Sequence, residues 1–246
     1  MKNINLISVP ILIDNYVWII VNSYNNKCII IDPGYHLPII KIIKKLNLIP
    51  KYILITHKHL DHVIGIKKIK EKFPEIITFG PKEAIKYGVD HIVYGGENIL
   101  LLKKYFNVLS TPGHTRGHVS YYCENYLFCG DTIFSGGCGK IYKKNYISMF
   151  NSMRKIYLLP EETILCYSHE YTFCNLQFLS INFPKIKEII KYYNLIKYLK
   201  RKNFSLISNL KQEKKINLFL KFSSKYEFLN NFIQLRKKKD KFICKK

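Results

Sequence analysis

Four potential metal ligands lie within one six-residue stretch. They are His57, His59, Asp61 and His62. The apolar run 53–55 before them is typical of a buried strand, and an extended chain leaving that strand projects alternate residues to one side. Imidazole nitrogens and carboxylate oxygens are ligands that a borderline cation such as zinc prefers. Because four ligands in one loop exceed what one tetrahedral ion with an open position needs, the pattern predicts two ions.

Three further segments place candidate ligands directly after apolar stretches. The loop 111–118 carries His114 and His118, the apolar stretch 126–130 ends on Asp131, and the stretch 163–167 is followed by His169. We therefore expect these side chains on loops at one edge of a rigid sheet scaffold. His118 is expected to support the ligands rather than to bind a metal itself. Cys138, among glycines, is expected to shape a tight loop and not to act as a nucleophile.

Together these residues resemble the ligand pattern of the metallo-β-lactamase superfamily, H-x-H-x-D-H followed by H, D and H, and all seven positions are filled. The resemblance implies two metal sites joined by one carboxylate. The first site would use His57, His59 and His114, the second Asp61, His62 and His169, and Asp131 would bridge them. Two such ions can share a water and lower its pKa to about 7, so the expected nucleophile is a metal-bridged hydroxide, acting with Asp61 and Asp131. Zinc is the expected metal, and iron or manganese would accept the same ligands.

The flanking sequence is similar to one family within that superfamily. Residues 130–142 and 169–172 resemble segments of glyoxalase II (hydroxyacylglutathione hydrolase). Residues 216–220 are similar to its N-P-F-L-R signature, with Leu218 and Lys221 as departures. Residues 236–242 resemble its terminal R-x-x-K-D-x-F. The resemblance covers residues 14 to 242.

The family resemblance also implies a glutathione pocket. Its residues would be Lys140, Tyr142, Tyr171, Arg236 and Lys239, which suit the two carboxylates of glutathione. Arg236 and Lys239 are three apart, so one helical face can present both. The alternative is that Arg236 and Lys239 belong to a solvated basic tail and do not bind glutathione.

The implied reaction is hydrolysis of the thioester S-(2-hydroxyacyl)glutathione, notably S-lactoylglutathione, to glutathione and a 2-hydroxy acid such as D-lactate. This is the second step of methylglyoxal detoxification. The alternatives are a nucleic-acid-processing hydrolase, a mononuclear-iron persulfide dioxygenase, a β-lactamase and a metal-free anion-binding descendant. The complete ligand set opposes the dioxygenase and the metal-free descendant, and the C-terminal signature opposes the nuclease. A β-lactamase would show a different ligand near Asp131.

Composition sets further bounds. The chain of 246 residues is 48% hydrophobic, enough for one large domain with a small appendage. Its seven cysteines are scattered and odd in number, so we expect no disulfide framework and a cytoplasmic location. None shows C-x-x-C spacing, which opposes a thiolate zinc site or a redox pair. No signal segment or membrane-length apolar run is visible.

The formal net charge of +23 raises the possibility of a nucleic acid or membrane partner. Only four of the 40 basic residues are arginine, the side chain suited to bidentate phosphate contacts. We therefore expect lysine spread over solvated faces, a small-molecule glutathione thioester as the partner, no specific nucleic acid, no membrane and a monomer.

The pattern of elements predicts an α/β fold, and the resemblance makes it a metallo-β-lactamase-type αββα sandwich with a small helical C-terminal domain. The catalytic domain would span residues 1–172 and the substrate-binding domain residues 173–246. Predicted strands are three within 4–31 and then 52–55, 76–79, 107–110, 118–123, 126–130 and, last, 163–167; predicted helices are 36–47, 63–73 and 145–158. In the C-terminal part, Pro184 is expected in the first turn of a helix, and Ser224 with Glu227 forms a capping-box pattern.

Overall fold

Two six-stranded β-sheets stack at the centre of the computed structural model, which describes residues 4–142, 144–200, 207–221 and 225–244. The first sheet follows chain order from β1 to β6. Its strands are β1 (Ile4–Ile11), β2 (Asn15–Asn22), β3 (Lys27–Ile31), β4 (Ile49–Leu54), β5 (Ile77–Gly80) and β6 (His91–Ile92). The first three strands pair antiparallel, and those from β3 to β6 pair parallel.

The second sheet is built from the middle of the chain and one late strand. Its strands are β7 (Asn98–Leu101), β8 (Lys104–Ser110), β9 (Val119–Cys123), β10 (Tyr126–Gly130), β13 (Ile164–Tyr167) and β14 (Ser208–Asn209). They lie in the order β14-β13-β10-β9-β8-β7, and β10 and β13 pair parallel. A separate hairpin is formed by β11 (Ile133–Phe134) and β12 (Gly137–Cys138).

Helices cover the outer faces of both sheets. They are α1 (His36–Lys45), α2 (Leu60–Val63), α3 (Ile66–Lys72), α4 (Tyr146–Tyr157), α5 (Thr172–Asn182), α6 (Lys187–Lys200), α7 (Leu210–Ile216) and α8 (Lys225–Asp240), with short 3-10 helices at Lys82–Tyr87 and Leu218–Leu220. Among the described residues, no helix has the length and apolar character needed to cross a bilayer.

Alternation along β2 shows how the layers pack. Trp18 and Ile20 point into the core between the sheets, where they join Phe106 of the second sheet. Val17 and Ile19 point to the other face and pack with residues of α1 and α3. A third core lies between the second sheet, α4 and the C-terminal helices. The predicted αββα sandwich with a C-terminal helical region is therefore confirmed.

Several predicted elements end differently in the structure. The helix predicted over 63–73 is broken between α2 and α3 at Gly65, whose N–H donates to the Pro33 carbonyl at 2.9 Å. An added Cβ on Gly65 would lie 2.3 Å from that oxygen, so a side chain does not fit there. Pro184 was expected in the first turn of a helix, but helix α6 begins three residues later, at Lys187.

The strand at 163–167 is not the last one, because β14 pairs with β13. This strand comes from the C-terminal part of the chain, which thereby extends a sheet of the N-terminal part. The proposed domain boundary at residue 172 remains a prediction, and α5 begins at that residue. The capping-box pair Ser224 and Glu227 lies outside the residues whose side chains are described.

One cysteine pair departs from the expectation of no disulfide framework. Cys174 in α5 and Cys244 after α8 form a disulfide across 70 residues. Spacing alone did not reveal the pair, because the two residues meet only when the C-terminal segment folds back onto α5. The other five cysteines are free and buried.

Candidate metal centre

The seven predicted ligands lie together in two adjoining groups. The first group is His57, His59, His114 and Asp131; the second is Asp61, His62 and His169. Within each group the ligand atoms lie within 4.8 Å of one another. Asp131 faces both groups, because its Oδ2 lies 3.3 Å from His114 Nε2 and its Oδ1 lies 3.4 Å from His169 Nε2. This is the geometry expected of a bridging carboxylate.

Strand ends deliver these side chains. His57 and His59 follow β4, Asp131 follows β10 directly, and His169 follows β13. His114 lies in the loop between β8 and β9. Since β4 belongs to one sheet and the other strands to the second, the ligands meet at a common edge of the sandwich.

Gly130 allows the approach of the two sheets at this edge. Its φ is +49°, and an added Cβ would lie 2.4 Å from Thr56 Oγ1 and 2.8 Å from His118 Nε2. Only a glycine meets both conditions without strain. Both packing and backbone conformation therefore require a glycine directly before the bridging aspartate.

The outward-facing nitrogens of four ligand histidines are engaged. His114 Nδ1 donates to the Lys140 carbonyl at 2.8 Å, and His169 Nδ1 donates to Asp14 at 2.9 Å. His57 Nδ1 pairs with Thr56 Oγ1 at 3.0 Å, and His62 Nδ1 lies 3.1 Å from Asp32 Oδ2 as an ion-pair contact without hydrogen-bond geometry. Such partners orient the ring and, in its neutral form, place the proton on Nδ1, so that Nε2 can offer its lone pair to the centre.

Ring nitrogens and a carboxylate oxygen of the ligands converge at the centre. His59 Nδ1 lies 3.0 Å from His57 Nε2 and 2.9 Å from His114 Nε2. Buried Nε2 of His62 and Oδ1 of Asp131 have no hydrogen-bond partner among the described residues. Tetrahedral zinc with Zn–N distances of about 2.0–2.1 Å spaces its nitrogens at roughly 3.3 Å, close to this arrangement. The donor set therefore fits divalent cations.

The ligand histidines differ in the direction in which their surroundings shift their pKa. Burial lowers the pKa of His57 well below its ordinary value, and neighbouring histidines lower it further. Burial also lowers the pKa of His169, but its contacts with the carboxylates of Asp131, Asp14 and Asp61 outweigh it and raise that pKa to about 12. Burial raises the pKa of Asp131, but the nearby histidines outweigh it and hold that pKa below its usual range. A metal ion bound here must displace the His169 proton.

His118 supports the centre, as predicted, through its own bonds. Its Nε2 accepts from the Asp131 N–H at 3.2 Å, so Nδ1 carries the proton and faces Thr111 Oγ1 at 2.9 Å. The ring also stacks on His57, with centroids 4.9 Å apart. His118 thus holds the backbone of the bridging residue.

Three of the five predicted glutathione residues adjoin the ligands. Tyr142 lies beside His114, with ring centroids 5.6 Å apart, and Lys140 lies over the Tyr142 ring. Tyr171 stacks on His169 at 4.8 Å. A cavity of about 340 Å³ opens here, lined by Lys58, His59, Gly113, His114, Thr115, Arg116, Tyr142 and Asn145.

The other two predicted residues lie on α8 and already have partners. Arg236 is buried, bonds Asp240 through Nε and Nη2, and donates from Nη1 to the Cys138 carbonyl at 2.9 Å. Lys239 is half-buried and donates to the Cys174 carbonyl at 3.1 Å. Burial lowers the pKa of Lys239 to about 8. Their glutathione contacts remain predictions.

Sequence reasoning missed the residues that orient the ligands. Asp14 bonds His169, Asn15 donates to Asp61 at 2.9 Å, and Asp32 accepts from the Thr56 N–H and hydroxyl. Glu83 accepts from Thr115 and from the Gly117 N–H, which holds the His114 loop. These carboxylates are distant in sequence from the ligand motifs, so spacing carried no signal for them.

Comparison with known proteins places the chain in a family. The model of the metallo-beta-lactamase superfamily matches residues 13–169, and the model of the hydroxyacylglutathione hydrolase C-terminus matches residues 170–242. The chain is 48% identical over 248 residues to a hydroxyacylglutathione hydrolase of Buchnera aphidicola subsp. Baizongia pistaciae, covering 96% of this chain and 99% of that protein. It is 42% identical to one of Klebsiella pneumoniae subsp. pneumoniae, covering 97% and 100%.

Solved structures share the fold at lower sequence identity. BLEG-1 B3 metallo-beta-lactamase superposes with a TM-score of 0.69 at 22% identity, covering 89% of this chain and 100% of its own. A di-iron-bound form of TTHA1623 superposes with a TM-score of 0.62 at 20% identity, covering 86% and 98%. The fold and the two family models agree over nearly the whole length. The chain belongs to the metallo-β-lactamase superfamily and, within it, to the hydroxyacylglutathione hydrolase family.

Proposed function

We propose that the protein hydrolyses S-(2-hydroxyacyl)glutathione, with S-D-lactoylglutathione as its main substrate, to glutathione and a 2-hydroxy acid. The observation that carries this proposal is Asp131, whose two oxygens face separate His/Asp groups. Relatives matched over nearly their whole length are named hydroxyacylglutathione hydrolase. The protein is thus a thioester hydrolase that serves methylglyoxal detoxification.

Two divalent ions would be held by the seven ligands. His57, His59 and His114 would bind the first, Asp61, His62 and His169 the second, and Asp131 both. When bound, the ions supply Lewis acidity and lower the pKa of a shared water. Zinc is our proposed metal, with iron or manganese as alternatives.

Other residues of the chain would hold these metal ligands in place. Asp14 and the Lys140 carbonyl fix the His169 and His114 rings. Asn15 holds Asp61 in place. A thiolate leaving group needs little help from an acid, so no dedicated proton donor is required. Cys138 is not a competing nucleophile, because burial raises the pKa of its thiol to about 11.

Glutathione would lie along Lys140, Tyr142 and Tyr171 toward α8. Lys140 and Tyr142 are exposed beside the ligands, which supports a substrate contact. Among the described residues, the Lys239 ammonium donates one hydrogen bond, to the Cys174 carbonyl. Its other N–H groups can donate to a glutathione carboxylate. Arg236 would contribute its charge while its guanidinium holds Cys138 and Asp240.

We further propose a cytoplasmic monomer with no specific nucleic acid or membrane partner. Five of the seven cysteines are free thiols, which supports this location, and the Cys174–Cys244 disulfide is the exception. Lysine, which makes no bidentate phosphate contact, dominates the basic residues.

The direct test follows D-lactoylglutathione hydrolysis by purified protein before and after chelation. We expect turnover that is lost with the metal and restored by adding zinc, iron or manganese. Turnover that persists after metal analysis shows an empty centre would disprove the metal role. No turnover in fully loaded protein would disprove the proposed substrate.

A further inference from the structure

The β11–β12 hairpin connects two contacts of the metal centre. Asp131 lies just before it, and the Lys140 carbonyl that orients His114 lies just after it. At its base, Gly139 N–H donates to the Thr132 carbonyl at 3.1 Å. An added Cβ on Gly139 would lie 1.9 Å from the Asp131 carbonyl oxygen. A shift of the hairpin therefore moves the backbone at both metal-centre contacts.

Buried polar side chains from the C-terminal part of the chain hold this hairpin. Asn217 donates to the Phe134 and Gly137 carbonyls at 3.1 and 3.0 Å. Asn175 donates to the Ser135 carbonyl at 3.0 Å, and Arg236 donates to the Cys138 carbonyl at 2.9 Å. These four carbonyls lie on consecutive parts of a short hairpin, so the buried side chains add hydrogen bonds to those of the strand pairing.

Glu213 in α7 is at the centre of these contacts and is fully buried. Its carboxylate accepts from Ser135 Oγ at 2.7 Å and from the Gly136 N–H at 2.8 Å. It also accepts from the Ser208 hydroxyl and from Asn217 Nδ2 at 3.2 Å. None of the ion pairs recorded among the described residues includes Glu213.

A buried carboxylate without a cation depends on its hydrogen-bond donors. Four donors satisfy Glu213, and losing one exposes the cost of burying the charge. Two of the four donors belong to the loop of the hairpin. The loop is therefore held in one position by a strong and directional interaction.

We propose that Glu213 is a positioning residue for the metal centre. It acts through the β11–β12 hairpin, which sets the backbone of Asp131 and the Lys140 carbonyl behind His114. This inference rests on the proposed two-metal function. It also gives Asn217, in the segment similar to the N-P-F-L-R signature, a role in holding the hairpin and not in contacting substrate.

Two serines provide a matched test. Ser135→Ala and Ser208→Ala each remove one buried hydroxyl from the same oxygen of Glu213, Oε1, but only Ser135 belongs to the hairpin. Zinc affinity of each variant is measured by competition with a chromophoric chelator, alongside Tm, kcat and KM. Glu213→Gln is measured in parallel.

Loss of a group that orients a metal ligand costs roughly 10–100-fold in affinity or activity, and Glu213 acts one step further away. We expect Ser135→Ala to weaken zinc binding about 3- to 10-fold and to lower kcat with little change in KM. Ser208→Ala should lower Tm by a similar amount but keep zinc affinity and kcat within about twofold. Glu213→Gln should exceed Ser135→Ala in both effects.

Equal losses of Tm in the two serine variants, with unchanged zinc affinity and kcat, would show a merely structural role and overturn the proposal. The serine pair decides this even if Glu213→Gln does not fold. The zinc titration needs no thioester. If the wild type binds zinc but does not hydrolyse the thioester, the proposed substrate fails while the positioning role is still decided.

Discussion

The occupied ring nitrogens explain why these histidines are good ligands. His114 and His169 each donate from Nδ1 to a fixed oxygen, so each ring is already oriented with Nε2 toward the centre. The two partners differ in kind, because Lys140 uses a backbone carbonyl and Asp14 a carboxylate. A side-chain substitution can remove the Asp14 carboxylate but not the Lys140 carbonyl. The orientation of His169 can therefore be tested by substituting Asp14.

Replacing Asp131 by alanine removes the carboxylate that faces both ligand groups. We expect metal content to fall from two equivalents to one or fewer, and turnover to fall by more than the roughly 100-fold upper range for orienting groups. Metal analysis and thioester kinetics on the same sample test this. Glu75→Gln, at an exposed carboxylate, serves as the control. Two full equivalents with near-normal turnover in Asp131→Ala would refute the bridging role.

The lowered pKa of Lys239 allows its proposed substrate contact to be tested by pH. Its pKa is lowered by burial to about 8, so its ammonium is charged below that pH and loses its proton above it. If the ammonium binds a glutathione carboxylate, kcat/KM should fall as pH rises through about 8. Lys239→Met should raise KM with kcat nearly intact, by about 5- to 150-fold for a contact of ~1–3 kcal/mol.

The same pH series on Lys239→Met should lack the fall near pH 8. Lys237→Met and Lys238→Met are matched controls, because both neighbours are exposed on the same helix. Equal increases in KM at all three positions would indicate a diffuse positive field in place of a specific contact.

At the scale of elements, the ligand-bearing strands were predictable because their own residues determine them. β10 is an apolar run buried over residues 127–130, and β4 ends in the buried pair Ile53 and Leu54. Ligands that follow such runs must lie at a sheet edge. The seven positions could therefore be predicted together from the sequence, and the structure brings them together.

Elements fixed by distant partners were not predictable. The strands β11, β12 and β14 have two residues each, too short for any periodic signal. The hairpin depends on hydrogen bonds with Glu213 and Asn217, which lie about 80 residues further along the chain. The contact of Asp32 with His62 forms only when β3 and β4 pair, so no local pattern predicted it.

The disulfide joins α5 to the segment after α8, and it should be detectable chemically. In unfolded protein without reductant, we expect five titratable thiols, because Cys174 and Cys244 are paired. A loop of 70 residues corresponds to about 4 kcal/mol in the chain-entropy model, so reduction should lower Tm by about 10 °C.

A Cys174→Ser/Cys244→Ser variant is the control, since reductant should not shift its Tm. Seven titratable thiols in the unreduced wild type, or a Tm that does not respond to reductant, would show that the pair is not bonded in solution.

At the scale of the whole molecule, the net charge of +23 is the feature that the proposed function uses least. The described ion pairs engage lysines on several faces, for example Lys51, Lys70 and Lys104. If the charge is a distributed property of the surface, nucleic acid should bind weakly and without sequence preference. Such binding should fall steeply with salt and be unaffected by changes at the metal ligands.

The most direct test of the account is a side-by-side assay of metal-loaded protein on D-lactoylglutathione and on RNA near physiological salt. His59→Ala and Asp61→Ala are measured in parallel with the wild type. We predict rapid thioester hydrolysis that both substitutions abolish, and no metal-dependent cleavage of RNA. Metal-dependent RNA cleavage that both substitutions abolish, without matching thioester turnover, would contradict the account.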